Sequence, residues 1–443
     1  MRHEPPRTSF NSILPMLWLY RLLFLPALVL LAPGYLLRMR KRGGYGKNFA
    51  QRFGAPAALP PKQPGRARVW LQAVSVGEML AIGPILAALH RDGVEVYLTT
   101  TTSTGYKLAK ERYRAWVAEI GYFPIDWWPF VVRAWRGVRP DLIILTEGER
   151  WPEYLRQAVN RRVPVLCVNA RLSDRSFARM KALRAASRLV LDGVTRILPA
   201  SADDKARFLE LGVPPERVVT TGNIKLDVDI PKLTEVEILA LRRAVGLPDG
   251  LVLLGSSTWP GEEEALIAAL QRARAAGRRC SLLLVPRHAE RRLEIERVVR
   301  DSGLRFHFRS RGDASAEVDV AVADTTGELR RLIQLADIVF VGKSLPPHTE
   351  GQTPVEAAAL QKPILFGPGM TNFRPIAREL LAQGAAREVG DAAELGVVCE
   401  ELLSDARQRA SLAAAAARWQ SENAGAVSRT LAVIRDELSR LKR

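Results

Sequence analysis

The sequence predicts an α/β protein made of two Rossmann-like, doubly wound domains that face each other across a cleft. Its 443 residues are too many for one ordinary core, and the 47% that are hydrophobic can fill two. Short apolar runs alternate with helical patterns in two separate series, which is typical of βα units. Polar or glycine-containing turns follow these runs, as expected where parallel strands end at one functional edge.

The chain starts with a long apolar segment that predicts a membrane-anchor helix. From Ile13 to Leu37 the only charged residue is Arg21, and the basic cluster Arg38 to Arg42 follows. A run of this length can span a bilayer or lie in its interface, and Pro26 and Pro33 disfavour a straight span. The segment lacks the small-residue cleavage site of a signal peptide. The basic flank after it favours a cytoplasmic location for the rest of the chain. We assign residues 1–45 to the anchor and its flank.

The first strand of the body, Val69 to Val74, runs into the turn Ser75 to Glu78 and then into a helix. Gly77 permits a tight turn and the close approach of a ligand, and the helix N-terminus attracts anions. Glu78 would then be a functional carboxylate beyond the carboxyl end of a strand. Alternatively, Glu78 is only a first-turn residue favoured by the helix dipole.

The other strands predicted for the first domain, residues 46–230, also end in polar residues. Val94 to Thr99 leads into the hydroxyl-rich turn Thr99 to Gly105, which either binds an anion or caps the next helix. The remaining strands and their polar exits are Leu142 to Thr146 with Glu147 and Glu149, and Val165 to Asn169 with Ala170 to Ser173.

A second series of βα units occupies residues 231–420, and residues 421–443 form a predicted helical tail. The strands predicted here are Leu251 to Leu254, Leu282 to Val285, Val318 to Val322, Ile338 to Val341 and Pro363 to Phe366. Two doubly wound domains suit a glycosyltransferase that uses a sugar nucleotide, although a fold alone does not establish an activity. No Gly-x-Gly-x-x-Gly or Walker motif follows a strand, which argues against a nicotinamide- or flavin-binding site and against a P-loop.

The charge balance of +18 predicts attraction to phosphates, on nucleic acid or on an anionic membrane surface. A nucleic-acid-binding protein would show salt-sensitive binding, but the basic residues lack the aromatic interleaving of a stacking platform. The three cysteines, Cys167, Cys280 and Cys399, are scattered in apolar surroundings, so they predict neither disulfides nor a zinc site. They indicate reduced cysteines in a cytosolic domain.

Several separated motifs occur in one order along the chain. They are Ser75 to Glu78, Thr102 to Gly105, Glu147 to Pro152, Asn169 to Ser173, Thr221 to Asp227, Ser257-Thr258 with Gly261 to Glu263, Pro286 to His288, Gly327 to Leu329, and Asn372-Phe373. In this order they resemble the 3-deoxy-D-manno-octulosonic acid (Kdo) transferase family, inner-membrane enzymes with a GT-B fold. The resemblance implies inverting transfer of Kdo from CMP-Kdo to the glucosamine disaccharide of a lipid A precursor, in lipopolysaccharide core biosynthesis.

The resemblance also implies roles for the residues of the first domain. Glu78 corresponds to the general base that takes the proton of the acceptor hydroxyl, as an inverting displacement requires. Glu147 and Lys225 correspond to residues that stabilise the transition state, and the sequence leaves open which charge each one offsets. Glu149 is either a further site residue or a structural partner of a local arginine. Neither a metal nor a cofactor is implied.

The donor site is implied in the second domain. The matching segments are Pro286 and Arg287; Thr326, Gly327 and Glu328; and Thr353, Pro354, Val355 and Glu356. Arg287 suits a phosphate or carboxylate, and Glu356 suits ribose hydroxyls. Three positions depart from the family pattern: Thr353 replaces an asparagine, and Trp259 and Gln352 stand where histidines are common. These departures concern donor recognition more than the class of reaction.

CMP-Kdo and the lipid A precursor are anionic, so the net positive charge would attract both. The resemblance places the enzyme on the inner membrane, with its catalytic domains on the cytoplasmic side and no nucleic-acid partner. The alternative is another membrane-associated GT-B glycosyltransferase that uses a different nucleotide sugar. A preference for CMP and a requirement for Glu78 would distinguish the two.

Overall fold

The computed structural model describes residues 14–41 and 46–441, and the chain divides into two compact units. The first unit comprises the described residues up to Asp227 and those from Gly425 onward, and the second comprises Val228 to Ala424. The final segment, which the sequence analysis treated as a separate tail, therefore belongs to the first unit.

The first unit contains a six-stranded sheet of order β3-β2-β1-β4-β5-β6, and every pairing in it is parallel. Its strands are β1 (Arg68–Gln72), β2 (Glu95–Thr100), β3 (Glu119–Tyr122), β4 (Leu142–Thr146), β5 (Val165–Ala170) and β6 (Arg196–Pro199). Strand order reverses between β1 and β4, and such a switch point is where open α/β sheets bind their ligands.

Helices connect these strands and cover both faces of the sheet. They are α1 (Leu14–Lys41), α2 (Val76–Ala81), α3 (Gly83–Arg91), α4 (Ser103–Tyr113), α5 (Trp128–Val138), α6 (Pro152–Arg161), α7 (Asp174–Ala182), α8 (Arg184–Leu191) and α9 (Ala202–Glu210), with a 3-10 helix at Gly46–Phe53. One core lies on each face, and Trp70 is buried among aromatic rings in one of them. Strands β1 and β2 are buried along their whole length, and their central residues are apolar while polar residues lie at the strand ends.

The second unit contains a seven-stranded parallel sheet of order β13-β12-β11-β7-β8-β10-β9. Its strands are β7 (Leu251–Thr258), β8 (Cys280–Pro286), β9 (Phe306–Phe308), β10 (Val320–Val322), β11 (Ile338–Val341), β12 (Ile364–Phe366) and β13 (Ala386–Glu388). Its helices are α10 (Glu235–Ala244), α11 (Glu262–Ala275), α12 (Arg292–Asp301), α13 (Leu329–Leu332), α14 (Val355–Ala359), α15 (Arg374–Ala382), α16 (Ala392–Ser404) and α17 (Ala406–Asn423). The chain then returns to the first unit as α18 (Ala426–Leu441).

Helix α1 corresponds to the predicted anchor. Its segment Leu14–Gly34 is long and apolar enough to cross a membrane, with a mean hydropathy of 1.9, and only 6% of its apolar stretch is buried in the protein. Pro26 and Pro33 both lie inside the helix. Ile13 and Arg42, which the sequence analysis counted in the apolar segment and the basic cluster, lie outside the described residues.

Candidate active site

Glu78 lies where β1 passes into α2, in the turn predicted from the sequence. Ser75 is the N-cap of α2 and its hydroxyl accepts from the Glu78 backbone N–H at 3.2 Å, while the Glu78 side chain accepts from the Ser75 backbone N–H in return. This is a capping box, which satisfies two N–H groups at the helix start. The structural role considered for Glu78 is therefore present.

The same carboxylate also joins two strands at the switch point of the first sheet. It accepts hydrogen bonds from Val74 N at 3.1 Å, from the Ser75 hydroxyl at 2.9 Å and from the Thr146 hydroxyl. Thr146 is the last residue of β4, and Glu78 is only 8% exposed. Donors from both strand ends therefore hold the carboxylate in one orientation.

Glu147 and Lys225 form an ion pair next to this position. Glu147 directly follows β4, and its φ of 51° is in the left-handed region, a strained conformation that is frequent at functional sites. Asn169, at the end of the neighbouring strand β5, donates to Glu147 Oε1 at 3.3 Å and accepts from Ile224 N at 3.1 Å. The structure thus brings Glu147 and Lys225, two of the site residues named from the sequence, into direct contact.

Asn169 is a residue whose function the sequence analysis did not identify, although it quoted the motif. It is 1% exposed and has a φ of 52°. Asparagine is among the few residues that tolerate this conformation, so its side chain can link the β4 exit to the loop that carries Lys225. An asparagine at the end of a buried strand was the available signal.

Glu149 completes a group of carboxylates at this edge of the sheet. Its hydrogen-bond donor is the Trp151 indole N–H at 3.0 Å, and the positive charge of Arg52 acts on it as well. Burial raises the pKa of Glu149, and the neighbouring charges of Glu78 and Glu147 raise it further. The three carboxylates therefore lie close enough together at this edge for their charges to interact.

The loop carrying Lys225 is held by the C-terminal helix α18. The Asp227 carboxylate accepts from Gly425 N at 3.0 Å and from Val427 N at 2.7 Å, and Arg429 Nε donates to the Thr221 carbonyl at 2.9 Å. Asp227 therefore caps a helix nearly two hundred residues later in the chain. This dependence of the candidate site on α18 was not foreseen from the sequence.

The turn Thr102 to Gly105 follows the capping alternative. Thr102 is the N-cap of α4, and its hydroxyl accepts from Gly105 N at 3.1 Å and donates to the Val74 carbonyl at 2.8 Å. A Cβ added to Gly105 would lie 2.7 Å from the Thr100 hydroxyl. The turn therefore holds the backbone of Val74, whose N–H donates to Glu78, in place.

In the second unit, two of the predicted donor segments follow the paired strands β8 and β10. Arg287 directly follows β8, is exposed, and has no side-chain partner among residues 14–41 and 46–441. Thr326 and Gly327 are exposed, and Gly327 has a φ of 91° with open space around it. Glu328 accepts from the Thr325 hydroxyl and lies 3.7 Å from Arg309. An unpaired guanidinium thus lies at the same sheet edge as an exposed glycine turn.

The third predicted donor segment precedes and begins α14. Thr353 caps locally, its hydroxyl accepting from Val355 N at 3.3 Å, while Pro354 and Val355 are buried. Glu356 Oε1 lies 3.6 Å from Arg330 Nη2. Its other oxygen, Oε2, is buried and has no hydrogen-bond donor within the described part of the chain. A buried carboxylate oxygen without a donor is costly unless a ligand supplies one.

Glu262 is a further residue of this edge whose importance the sequence did not indicate. It is 1% exposed and accepts four backbone hydrogen bonds, from Trp259 N and Lys343 N at 2.9 and 2.8 Å, and from Ser344 N and Leu345 N at 2.8 and 3.1 Å. It therefore ties the exit of β7 to the exit of β11. The Lys343 ammonium also lies 4.1 Å from the centre of the Trp259 ring.

Residues 14–41 and 46–441 contain no group of three or more His, Cys, Asp and Glu side chains arranged to hold a metal ion.

Comparison with known proteins connects this geometry to one family. The family model described as 3-deoxy-D-manno-octulosonic-acid transferase (kdotransferase) matches residues 47–228, which include Glu78, Glu147 and Lys225. A 3-deoxy-D-manno-octulosonic acid transferase of Bordetella pertussis is 35% identical, over 90% of this chain and 94% of its own length. The transferase of Haemophilus influenzae is 30% identical, over 98% of this chain and 99% of its own.

Comparison with solved structures identifies the type of fold. The UDP-GlcNAc 2-epimerase of Neisseria meningitidis, bound to UDP-GlcNAc, has a TM-score of 0.53 and 15% identity, covering 84% of this chain and all of that one. At this identity the likeness concerns the fold alone. It confirms the predicted GT-B type, in which each of two Rossmann-like units is built on a parallel sheet.

Proposed function

Because this chain belongs to the 3-deoxy-D-manno-octulosonic acid transferase family, we propose that it transfers Kdo from CMP-Kdo to a lipid A precursor in lipopolysaccharide synthesis. It is accordingly an enzyme, a glycosyltransferase. The acceptor is a hydroxyl of the glucosamine disaccharide, and the anomeric carbon is inverted. The observation that carries this proposal is the oriented Glu78 carboxylate beside the Glu147–Lys225 pair, at the switch point of the first sheet.

Glu78 serves as the general base. Its carboxylate is positioned by donors from both β1 and β4, so it can accept the proton of an acceptor hydroxyl without first changing its own conformation. The hydroxyl oxygen attacks the anomeric carbon of Kdo as the bond to the CMP phosphate breaks, and the proton remains on Glu78. Inversion follows because attack and departure occur on opposite faces of the sugar.

Glu147 and Lys225 stabilise the charges that develop in this step. The departing phosphate gains negative charge and the sugar becomes oxocarbenium-like, so an ammonium and a carboxylate held as a pair can offset both changes. Asn169 keeps the pair in place through its two hydrogen bonds.

The CMP moiety binds at the carboxyl edge of the second sheet. Arg287 supplies an unpaired guanidinium for the phosphate, and Gly327 permits close approach of the backbone. The buried Glu356 Oε2 accepts a hydrogen bond from a ribose hydroxyl, which supplies the donor it lacks. Helix α1 holds the enzyme at the bacterial inner membrane, with the catalytic units on the cytoplasmic side, where the net charge of +18 favours anionic substrates.

The test is Kdo transfer to a lipid A precursor with CMP-Kdo generated in the reaction, with the products identified by mass. The wild-type chain and Glu78→Ala are compared with Glu237→Ala, which removes the carboxylate of a second capping box, Thr234 with Glu237, in the second unit. Both substitutions lose a helix cap, but only Glu78→Ala should abolish transfer while CMP still binds.

Two results would contradict the proposal in different ways. Equal activity of the wild-type and Glu78→Ala proteins would remove Glu78 from the mechanism but leave the substrates unchanged. A folded wild-type protein that binds UDP more tightly than CMP and forms no Kdo product would favour the alternative, a glycosyltransferase with another nucleotide sugar.

A further inference from the structure

The first two turns of α1 are packed on the body of the first unit. Leu17 is 2% exposed and contacts Leu189 of α8, with Met16, Tyr20 and Val159 partly buried around them. This part of the anchor therefore cannot lie in the hydrocarbon of a bilayer while it is docked.

Two polar interactions fix this docked part. The Tyr20 hydroxyl donates to Asp126 at 2.8 Å, and the Arg21 guanidinium donates to both oxygens of Glu153, at 2.8 and 3.1 Å. Asp126 is 3% exposed and Glu153 is completely buried. Withdrawing Arg21 into lipid would leave the Glu153 carboxylate buried without its cation, which is strongly unfavourable. We call these two interactions the anchor clamp.

Beyond the clamp, the helix has an unpartnered apolar surface. Leu22, Leu30 and Leu31 are 72%, 80% and 68% exposed, far more than apolar side chains of a soluble core helix. In the sequence, the apolar segment beyond the clamp runs from Leu22 to Leu37, about 24 Å of helix at 1.5 Å per residue. The hydrocarbon core of a bilayer is about 30 Å thick, so this segment is too short to cross it upright.

The chain also returns to the body soon after the helix ends. In the 3-10 helix Gly46–Phe53, Gln51 accepts from Tyr122 N at 2.8 Å, and the Phe53 ring lies 5.2 Å from that of Phe130. Between Lys41 and Asn48 an extended chain reaches no more than about 25 Å. If α1 crossed the bilayer while its first turns stayed docked, that connection would have to carry unpaired backbone groups back through hydrocarbon, which does not occur in lipid-exposed chains.

We propose that α1 enters the lipid monolayer that faces the body and leaves by the same side, so that it is a monotopic insertion and not a transmembrane span. The clamp sets the depth of insertion. The Arg21 guanidinium lies 4.6 Å from the Trp18 ring and 5.4 Å from the Trp128 ring, and both indoles are about half exposed. Half-exposed tryptophans beside a cation are typical of the interface between water and lipid. This inference rests on the membrane association proposed above.

Single cysteines labelled by a membrane-impermeant maleimide test the proposal on the full-length chain in inner-membrane vesicles sealed with the cytoplasmic face outward. The native Cys167, Cys280 and Cys399 are buried, so they contribute little background. Ala50→Cys reports the side of the body, Pro15→Cys the start of the helix and Leu30→Cys its free segment. We expect Ala50→Cys and Pro15→Cys to label in sealed vesicles, and Leu30→Cys to label only after detergent is added.

Three results separate this inference from the proposed function. Labelling of Pro15→Cys only after detergent, with Ala50→Cys labelled throughout, means that the helix spans, and overturns the inference. Labelling of Leu30→Cys in sealed vesicles means that no insertion occurs, and overturns it as well. Protection of Ala50→Cys would instead contradict the proposed cytoplasmic orientation, whatever the depth of the helix.

The role of the clamp is tested by removing it in the Pro15→Cys background. Tyr20→Phe with Arg21→Leu and Glu153→Leu leaves an apolar helix without polar ties, and we expect loss of Pro15→Cys labelling as the helix moves into the bilayer. The matched control is Arg196→Leu with Glu437→Leu, a partly buried ion pair of the same unit that has no hydrogen bond or ion pair to the described residues of α1 and should leave labelling unchanged. Unchanged labelling in the clamp variant would show that the clamp does not set the topology.

Discussion

The Glu78 carboxylate takes part both in a helix cap and in the proposed chemistry. The cap requires a side-chain acceptor for the Ser75 backbone N–H, which a neutral amide can also provide. The proton transfer requires a carboxylate. The two roles are therefore separable by a substitution that retains shape and removes charge.

Glu78→Gln should keep the capping box and lose the base. We expect kcat for Kdo transfer to fall by about 10²- to 10⁴-fold, the usual contribution of a general base, with the Kd for CMP nearly unchanged. The thermal unfolding midpoint should fall less than in Glu78→Ala, because the amide keeps the acceptor for Ser75 N but loses the one for Val74 N. Steady-state kinetics, CMP titration and calorimetry measure the three quantities. A fall in the unfolding midpoint as large as that of Glu78→Ala, with kcat preserved, would mean that the residue is only a cap.

Glu356 offers a second test at the residue scale, because its Oε2 lacks a donor in the described structure. Glu356→Gln should weaken CMP binding by about tenfold, since a hydrogen bond to a charged group contributes roughly 1.5 kcal/mol or more. The matched ligand is a CMP analogue without ribose hydroxyls, whose affinity should not differ between the two proteins. If both ligands lose affinity equally, the carboxylate does not contact the ribose.

At the scale of whole elements, the sequence predicted the interior strands and missed the edges. Strands β3 and β6 of the first sheet, and β9 and β13 of the second, were not predicted, and each is the outermost strand of its sheet. They are short and include polar residues such as Glu119, Arg196, His307 and Arg387. Interior strands are buried on both faces and read as apolar runs, whereas an edge strand needs no such run.

The candidate site was predictable to the extent that it follows interior strands. Glu78 lies in the first turn of the helix after β1 and Glu147 directly follows β4, so their proximity follows from the pairing of β1 with β4 in a parallel sheet. The four-fold hydrogen bonding of Glu262 was not predictable, because its partners include Lys343 to Leu345, about eighty residues later. Local sequence does not reveal which of several glutamates at a helix start accepts such distant donors.

Glu262→Ala should disturb the second unit more than an ordinary first-turn substitution. It leaves four backbone N–H groups without their acceptor, and unsatisfied buried groups cost about 1–3 kcal/mol each when solvent cannot replace the partner. We expect a lower unfolding midpoint and weaker CMP binding, measured by calorimetry. Glu264→Ala is the control, because Glu264 is an exposed cap acceptor on the same turn. Similar midpoints for both variants would contradict the role assigned to Glu262.

The anchor clamp predicts a pH dependence of stability. Burial raises the pKa of Asp126 from 3.8 to about 7, although hydrogen bonds from Glu153 N, Tyr20 and Tyr154 N oppose the shift. The folded state then binds the proton more tightly than the unfolded chain. The free energy of unfolding is therefore highest at low pH and falls as the pH rises from 3.8 to about 7, by up to about 4 kcal/mol in total.

Thermal unfolding in detergent between pH 5 and pH 8 measures this effect. Asp126→Asn cannot titrate, so its profile should be flatter than that of the wild type over the range in which the wild type loses stability. Asp92→Asn, which alters a surface pair with Arg435, should keep the wild-type profile. Parallel profiles for the wild type and Asp126→Asn would assign the pH dependence to other groups.

At the scale of the whole molecule, the chain leaves the first unit at Asp227 and returns to it at Gly425. The returning helix α18 completes a core that otherwise consists of early residues. Leu431, Ile434 and Leu438 belong to the same apolar cluster as β1 and β2. The first unit is therefore complete only after almost the whole chain has been made, and the loop presenting Lys225 depends on that last helix.

Ending the chain after Ala424 should consequently impair the first unit and leave the second one folded. Each of the three buried aliphatic side chains contributes about 1.5–3 kcal/mol to the free energy of folding, and this contribution is lost. Asp227 also loses the two backbone N–H groups that donate to it. We expect Kdo transfer to be lost and hydrogen exchange to increase in β1, β2 and the loop 221–227, while CMP binding to the second unit persists. A chain ending after Leu441 retains α18 and should behave as wild type. Protected β1 and β2 amides in the shorter chain would mean that α18 only covers a core that is already stable without it.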